Sequence, residues 1–266
     1  MLDQPIKRDK FKNPLSHHDY ALMASLGLIP GISTLNKYGR NKNVDATPTD
    51  IYDVVGVPTW PQPTEARPHG FKSSNVGDDA ATGEGCQMMR AWGLLSWDTK
   101  EVSHDITMAG SDTVMTTSDF VIIHRAKSIT YGDSGPNLGN ISITAGTDDT
   151  ITAQVNSGAG QTQMAIYGVP SVQKFRMTQA YGNLNKAAGA SVAAEMTILA
   201  NESPDTGNKF IVKHTFNAVK DGDSDVPINF DMPKKFDGPC IIKVQGDGSA
   251  ADLDVSGGFN GYLVDN

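Results

Sequence analysis

Cysteine is almost missing from this chain, which holds only Cys86 and Cys240, far apart and outside any Cys-x-x-Cys or Cys/His spacing. That excludes a disulfide framework, a zinc finger and thioredoxin-type redox chemistry, and leaves two buried free thiols as the expectation. Long hydrophobic runs are missing too. The longest apolar stretch, Tyr20 to Pro30, falls short of the roughly 20 residues a membrane span needs. The start, Met1-Leu2-Asp3-Gln4-Pro5, carries acid and proline where a signal peptide needs a basic region. We therefore expect a soluble compartment and no membrane partner. Positive charge is in deficit, with a net charge of -8 and a pI near 5.1, so the surface as a whole should repel phosphate backbones and nucleic acid is not an expected partner. The one cationic cluster, Lys7, Arg8, Lys10 and Lys12, is diluted by Asp3 and Asp9 and reads as a solvated or interface-bound tail.

Catalytic signatures are also lacking. The sequence has no Gly-x-Ser-x-Gly elbow and no Gly-x-x-x-x-Gly-Lys-Ser/Thr phosphate loop. Gly83-Glu84-Gly85-Cys86-Gln87-Met88 holds two glycines of a dinucleotide fingerprint with no helix after them, so it reads as a turn into a strand. His17, His18, His69, His104, His124 and His214 are scattered, and the side chains of adjacent His17 and His18 diverge on a helix. Asp221-Gly222-Asp223-Ser224-Asp225 places carboxylates at alternate positions, but an EF-hand needs Gly at its sixth position and Glu at its twelfth, where this chain has Val226 and Met232. An acidic hairpin turn at Asp221, Asp223 and Asp225 is expected, with a weak calcium site as the alternative. The sequons at Asn140 and Asn201 read as chance matches. No enzyme, no cofactor and no metal are expected.

What the chain does have is turn residues: 27 glycines and 14 prolines against 7% aromatics. That balance suits short strands joined by many turns, and 266 residues are enough for a proper core. Pro5, Pro14, Pro30, Pro48, Pro58, Pro61, Pro63 and Pro68 crowd the first quarter, which reads as an extended arm over residues 1–70. Within it, a Ser16/Asp19 capping-box pattern and a stop at Gly27 predict one short helix over 16–26, which must dock on a β-surface or another subunit. Strand signals begin at Cys86. A first β-rich region, 71–159, carries runs at 86–94, 102–108, 114–123, 126–131 and 140–144. A second, 160–266, carries runs at 164–169, 172–181, 191–199, 209–217, 226–231, 240–245 and 253–264. In 172–181, Phe175 and Met177 share one face and Lys174, Arg176 and Thr178 the other. The fold class is all-β: an antiparallel β-sandwich of jelly-roll or Greek-key type from residue 160, behind the arm. The first region either forms a smaller domain or completes the same sandwich. No repeat of fixed period is visible, which argues against a solenoid or propeller.

Several segments carry a resemblance. Gly31-Ile32-Ser33-Thr34-Leu35-Asn36-Lys37-Tyr38-Gly39-Arg40-Asn41, with its Lys-aromatic-Gly-Arg-Asn core, resembles an N-terminal motif in virion structural proteins of tailed bacteriophages, many from marine and cyanobacterial phages. Gly160-Gln161-Thr162-Gln163-Met164-Ala165-Ile166-Tyr167-Gly168-Val169-Pro170 looks like a Gly-x-Gln-Thr-x-Met-Ala-x-Tyr-x-Val-Pro segment of the same proteins, and Asp79 to Gly85 like their Asp-Thr/Ala-x-Gly-x-Gly step. Thr116-Thr117-Ser118-Asp119-Phe120 and Leu253 to Phe259 are similar as well. Gly93-Leu94-Leu95-Ser96-Trp97-Asp98 departs from the family's Gly-Leu-Asp turn by an insertion.

The resemblance implies a virion protein made in the bacterial host cytoplasm and placed on the capsid surface. The expected role is a cement or decoration protein, pictured as a homotrimer, that binds junctions between major capsid subunits and stabilises the expanded head. Lys37, Tyr38, Gly39, Arg40 and Asn41 are the candidate capsid-binding residues of the arm: Arg40 can pair bidentately with a carboxylate and Tyr38 offers a rigid ring. The bland alternative makes Lys37 and Arg40 a solvated turn. A tail, neck or fibre component is the runner-up function. A carbohydrate-binding β-sandwich is the third, weakened because Trp60 lies in the proline-rich arm and Trp92 and Trp97 flank a turn rather than forming a platform.

Overall fold

The computed structural model describes residues 20–54, 57, 59–81, 83–146, 149–186, 192–207, 209–219 and 226–266. The basic cluster Lys7 to Lys12, the Ser16/Asp19 cap, His17 and His18, and the acidic turn at Asp221, Asp223 and Asp225 lie outside them.

The chain is all-β, 58% strand, with one short helix near the N-terminus. That helix, α1 (Tyr20–Ser25), ends where Gly27 takes φ 66° and Leu28 N–H donates to Met23 O at 2.9 Å. It docks on the β-surface through Tyr20, whose ring meets Tyr262 edge-on at 5.4 Å. No helix among the described residues is long and apolar enough to cross a membrane.

Among the described residues sixteen strands follow: β1 (Ile32–Val44), β2 (Thr49–Asp50), β3 (His69–Ser73), β4 (Cys86–Leu94), β5 (Val102–Thr107), β6 (Val114–Met115), β7 (Ile122–Tyr131), β8 (Ile141–Ala145), β9 (Thr150–Val155), β10 (Ile166–Val169), β11 (Gln173–Lys186), β12 (Ala193–Asn201), β13 (Ile211–Val219), β14 (Val226–Asp237), β15 (Cys240–Gly248) and β16 (Leu253–Asp265). All pairings between them are antiparallel. The first sheet runs β1-β16-β11-β14. The second runs β10-β15-β12-β13, with β2 also on β15. The third is β6-β3-β8-β9 and the fourth β5-β4-β7.

Four sheets, set in a propeller-like ring, stand in place of the single sandwich expected. They differ in strand number, so the arrangement arises without a sequence repeat, and the missing period was no argument against it. Buried side chains gather into two cores. One is drawn from the first and second sheets, the other mainly from the third and fourth. β10 and β15 form the wall between them. Ala165, Tyr167 and Val169 belong to the first core while Met164 and Ile166 belong to the second, as do Ile242 and Ile241 in turn. Successive side chains leave opposite faces of a strand, so a strand between two cores can present apolar side chains on both faces. That is why Ile241 and Ile242 are adjacent isoleucines with no alternation.

The extended arm is corrected. Residues 32–44 form a 13-residue strand paired along β16 from Ile32↔Val264 to Val44↔Leu253, and Val44, Ile51, Tyr52 and Trp60 are buried. Pro61, Pro63 and Pro68 do keep the described residues of 51–68 out of the named strands, but irregular backbone can still deliver side chains to a core. In β11, Phe175 and Met177 are buried while Lys174, Arg176 and Thr178 are half-buried, matching the expected faces. The outer strand β14 tolerates Pro227 and Pro233 because an edge position needs no second ladder, and its register slips opposite Met177/Gln179.

Candidate functional site

The five residues expected to grip a partner sit in the middle of β1, and the period of two divides them. Lys37, Gly39 and Asn41 are buried, whereas Tyr38 and Arg40 face partly outward. None is a free arm anchor, and none is a solvated turn.

Gly39 is where β1 meets the wall. A Cβ there would lie 2.2 Å from Ile51 O and 2.4 Å from Ala165 N, so only glycine permits the approach. Beside it, Arg40 N–H donates to Gln163 O at 3.4 Å and Asp53 N–H to the same oxygen at 3.0 Å. Asn41 Nδ2 donates to Asp50 O at 2.9 Å and its Oδ1 accepts from Asn43 N. Arg40 makes the bidentate pair its chemistry suits, but with Asp254 of the same chain: Nε to Oδ1 at 2.8 Å and Nη2 to Oδ2 at 2.5 Å. Three of the resembling segments, 31–41, 160–170 and 253–259, are thus brought into one contiguous assembly.

Lys37 enters a polar cluster at the seam of the sheets. Its Nζ donates to the His124 carbonyl. His124 Nε2 lies 2.5 Å from Glu101 Oε2, its ring is 4.3 Å from that of Tyr167, and its Nδ1 is buried without a hydrogen-bond partner among the described residues. Tyr167 is hydrogen-bonded to Glu101 as well. Burial pushes the Lys37 amine down to about 7 against the pull of Glu101, and Arg125 adds to the fall. Burial also lowers His124, opposed by its bond to Glu101. For Glu101 burial acts upward, but the hydrogen bond and charge of His124 with the charges of Lys37 and Arg125 carry it below the usual carboxylate range. Tyr167 is raised by burial and then by Glu101. Asn36, Lys37, Tyr38, Arg125, Gln161 and Thr162 line a small cleft over this cluster. Neither Glu101 nor His124 carries any local sequence motif, and only their convergence in space marks them.

This cluster fixes a pH dependence. A lysine at about 7 when folded and 10.5 when unfolded binds a proton in the unfolded chain alone between those values, so stability climbs with pH through that window. His124, lowered from 6.5, acts in the same direction just below that value. The Lys37 displacement corresponds to a penalty on the order of 4 kcal/mol below neutrality. Urea melts at pH 6, 7.5 and 9 (about one and a half units apart) are expected to show rising stability, and Lys37→Met should flatten most of the rise. An unchanged slope in the variant would remove Lys37 as its source.

Elsewhere, both cysteines are free and buried, and burial raises Cys86 to about 11 and Cys240 to about 12. Trp60 and Trp97 are buried and Trp92 lies under the Arg125 guanidinium at 5.0 Å, so the tryptophans form no exposed platform. Among the described residues no group of three or more His, Cys, Asp or Glu is placed to hold a metal.

No family model matches the chain, and no curated protein matches it. Two solved structures align with it: infectious bursal disease virus Gt strain, at 11% identity and a TM-score of 0.20, and the infectious bursal disease virus VP2 subviral particle, at 13% and 0.21. Each alignment covers 88% of this chain and 70% of the other. At such TM-scores the likeness carries no argument about fold or function.

Proposed function

We propose that this chain is a structural protein of a tailed-phage virion, a capsid cement or decoration protein that binds the major capsid protein and associates with further copies of itself, the trimer being the arrangement to test first. The observation that carries the reading is the convergence of the three resembling segments: residues far apart in sequence make one interlocked unit through Gly39, Gln163, Ala165 and the Arg40–Asp254 pair. Such motifs read as the signature of a fold, which takes the grip on the capsid away from Lys37 to Asn41. Attachment then falls to the body. Where the edge strands β13 and β14 meet, Lys234 Nζ donates to Lys213 O at 3.3 Å, and Ile211, Val212 and the 86%-exposed Met232 stand apolar in solvent. Exposed apolar side chains at open strand edges suit binding that depends weakly on salt.

Co-sedimentation with expanded heads tests this. The double variant Val212→Asp, Met232→Asp is expected to bind at least about tenfold more weakly, with its own melting temperature within about 2 °C of the parent. Unchanged attachment would remove this surface, and failure of the parent to bind heads at any salt would remove the cement role in favour of a tail or neck component.

A further inference from the structure

Lys243 and Asp50 face each other in the wall between the cores, both buried, with Nζ 2.9 Å from each carboxylate oxygen. Asp50 lies opposite Gln245 in the β2–β15 register, which makes Lys243 its diagonal neighbour on the same face. A buried ion pair gives up two hydration shells and regains them only with full hydrogen bonding. Here the partners are few. Oδ2 also accepts from Trp60 N–H at 2.7 Å, Nζ lies 4.3 Å from the centre of the Phe210 ring, and the Tyr52 hydroxyl is buried with no hydrogen-bond partner among the described residues, close enough for the Asp50 charge to raise it beyond the effect of burial.

We propose that Lys243 and Asp50 condense into an intramolecular isopeptide bond. A proton passes from the ammonium to the carboxylate across their contact, leaving a neutral amine and a carboxylic acid. The Nζ lone pair attacks Cγ, and the charge that develops on Oδ2 is met by the Trp60 N–H, a donor already aimed at it. A second proton leaves nitrogen, the Cγ–Oδ1 bond breaks and Oδ1 departs as water. Ammonium and carboxylate thus become one amide and one water, with no oxidant, reductant or outside reagent. The second proton passes directly from nitrogen to the departing Oδ1, which lies 2.9 Å from Nζ. Contact in a dry site supplies the proximity that makes such a step effectively unimolecular. The bond would join residues 193 apart in sequence, tying the N-terminal strands to the C-terminal half and replacing a costly ion pair by a neutral amide.

Intact mass spectrometry of the full-length protein, incubated folded and then denatured, is the test. The expected mass is one water below that of the 28.4 kDa sequence, and digestion should release a branched peptide joining the segments around Asp50 and Lys243. Asp50→Asn should lose ammonia in place of water, and Lys243→Met should keep its full mass. The branched peptide separates this bond from a succinimide, which also loses water. Should either substitution prevent folding, the parent protein decides alone: full mass after prolonged incubation in a state that still melts cooperatively overturns the proposal, as does a water loss that maps elsewhere.

Discussion

Removal of residues 1–50 is expected to abolish cooperative unfolding, leaving a chain without a sigmoidal urea transition in either circular dichroism or tryptophan fluorescence. The truncation takes away β1, the partner of β16 over almost its whole length, and β2 with it. It strips Val44 from the first core and exposes the edge of a strand otherwise paired on both sides. It also deletes Asp50, which leaves the Lys243 amine buried without its carboxylate and the Trp60 N–H without its acceptor. Breaking a buried pair by removing one partner costs about 3–5 kcal/mol on its own. Together with a lost strand and its burial, that meets or exceeds the roughly 5–15 kcal/mol by which native proteins are stable. A truncated protein that unfolds in one transition, with an m-value close to the parent's, would show that β1 is dispensable and would restore the arm.

Why β1 reads as an arm is instructive. In Ile32-Ser33-Thr34-Leu35-Asn36-Lys37-Tyr38-Gly39-Arg40-Asn41 the buried face holds Lys37, Gly39 and Asn41, so no apolar alternation betrays a strand. Each is inside for a reason invisible from sequence: a carbonyl for the amine, a backbone too close for a Cβ, a carbonyl for the amide. β4, by contrast, is legible to the residue as Cys86–Leu94, and β5, β8, β10, β12, β13, β15 and β16 fall within about three residues of their expected runs, because apolar side chains and turn residues dictate them locally, whereas β11 and β14 start where expected but run on to Lys186 and Asp237. β3 and β9 went unread for different causes. His69-Gly70-Phe71 opens β3 amid prolines, and Thr150 to Val155 looks polar until the second core covers its end. The division into four sheets was not legible either, since pairing partners are chosen by contacts between distant segments. The candidate polar cluster was half legible: Lys37 lies in the motif, whereas Glu101 and His124 are marked only by their convergence in space.

Asp78→Ala should lower the melting temperature by about 10 °C or more, the equivalent of about 4 kcal/mol at this chain length. Asp78 is fully buried and its carboxylate accepts four hydrogen bonds: Oδ1 from Cys86 N at 2.7 Å and Leu138 N at 2.8 Å, Oδ2 from Ser73 Oγ at 2.6 Å and Gly139 N at 2.9 Å. These donors stand at the end of β3, the start of β4 and the loop before β8, so one side chain fastens the third sheet to the fourth. Gly85 packs so closely that a Cβ on it would lie 2.2 Å from Asp78 Oδ1. Alanine leaves the buried N–H groups of Cys86 and Gly139, each worth about 1–3 kcal/mol, and the partly buried one of Leu138 without acceptors. Asp78→Asn keeps the volume and tests the chemistry, because the new NH2 must face Ser73 Oγ and Gly139 N–H or else Cys86 and Leu138, and a donor cannot satisfy a donor. The hydroxyl of Ser73 can turn to accept, whereas the backbone amides cannot. Asp78→Asn is therefore expected to recover only part of the loss, by about 1–2 kcal/mol relative to alanine. Thermal melts of the two variants decide it: near-parental stability in Asp78→Asn would mean that the charge and its fourth bond contribute nothing, and near-parental stability in Asp78→Ala would dismiss the carboxylate as the joint between the sheets.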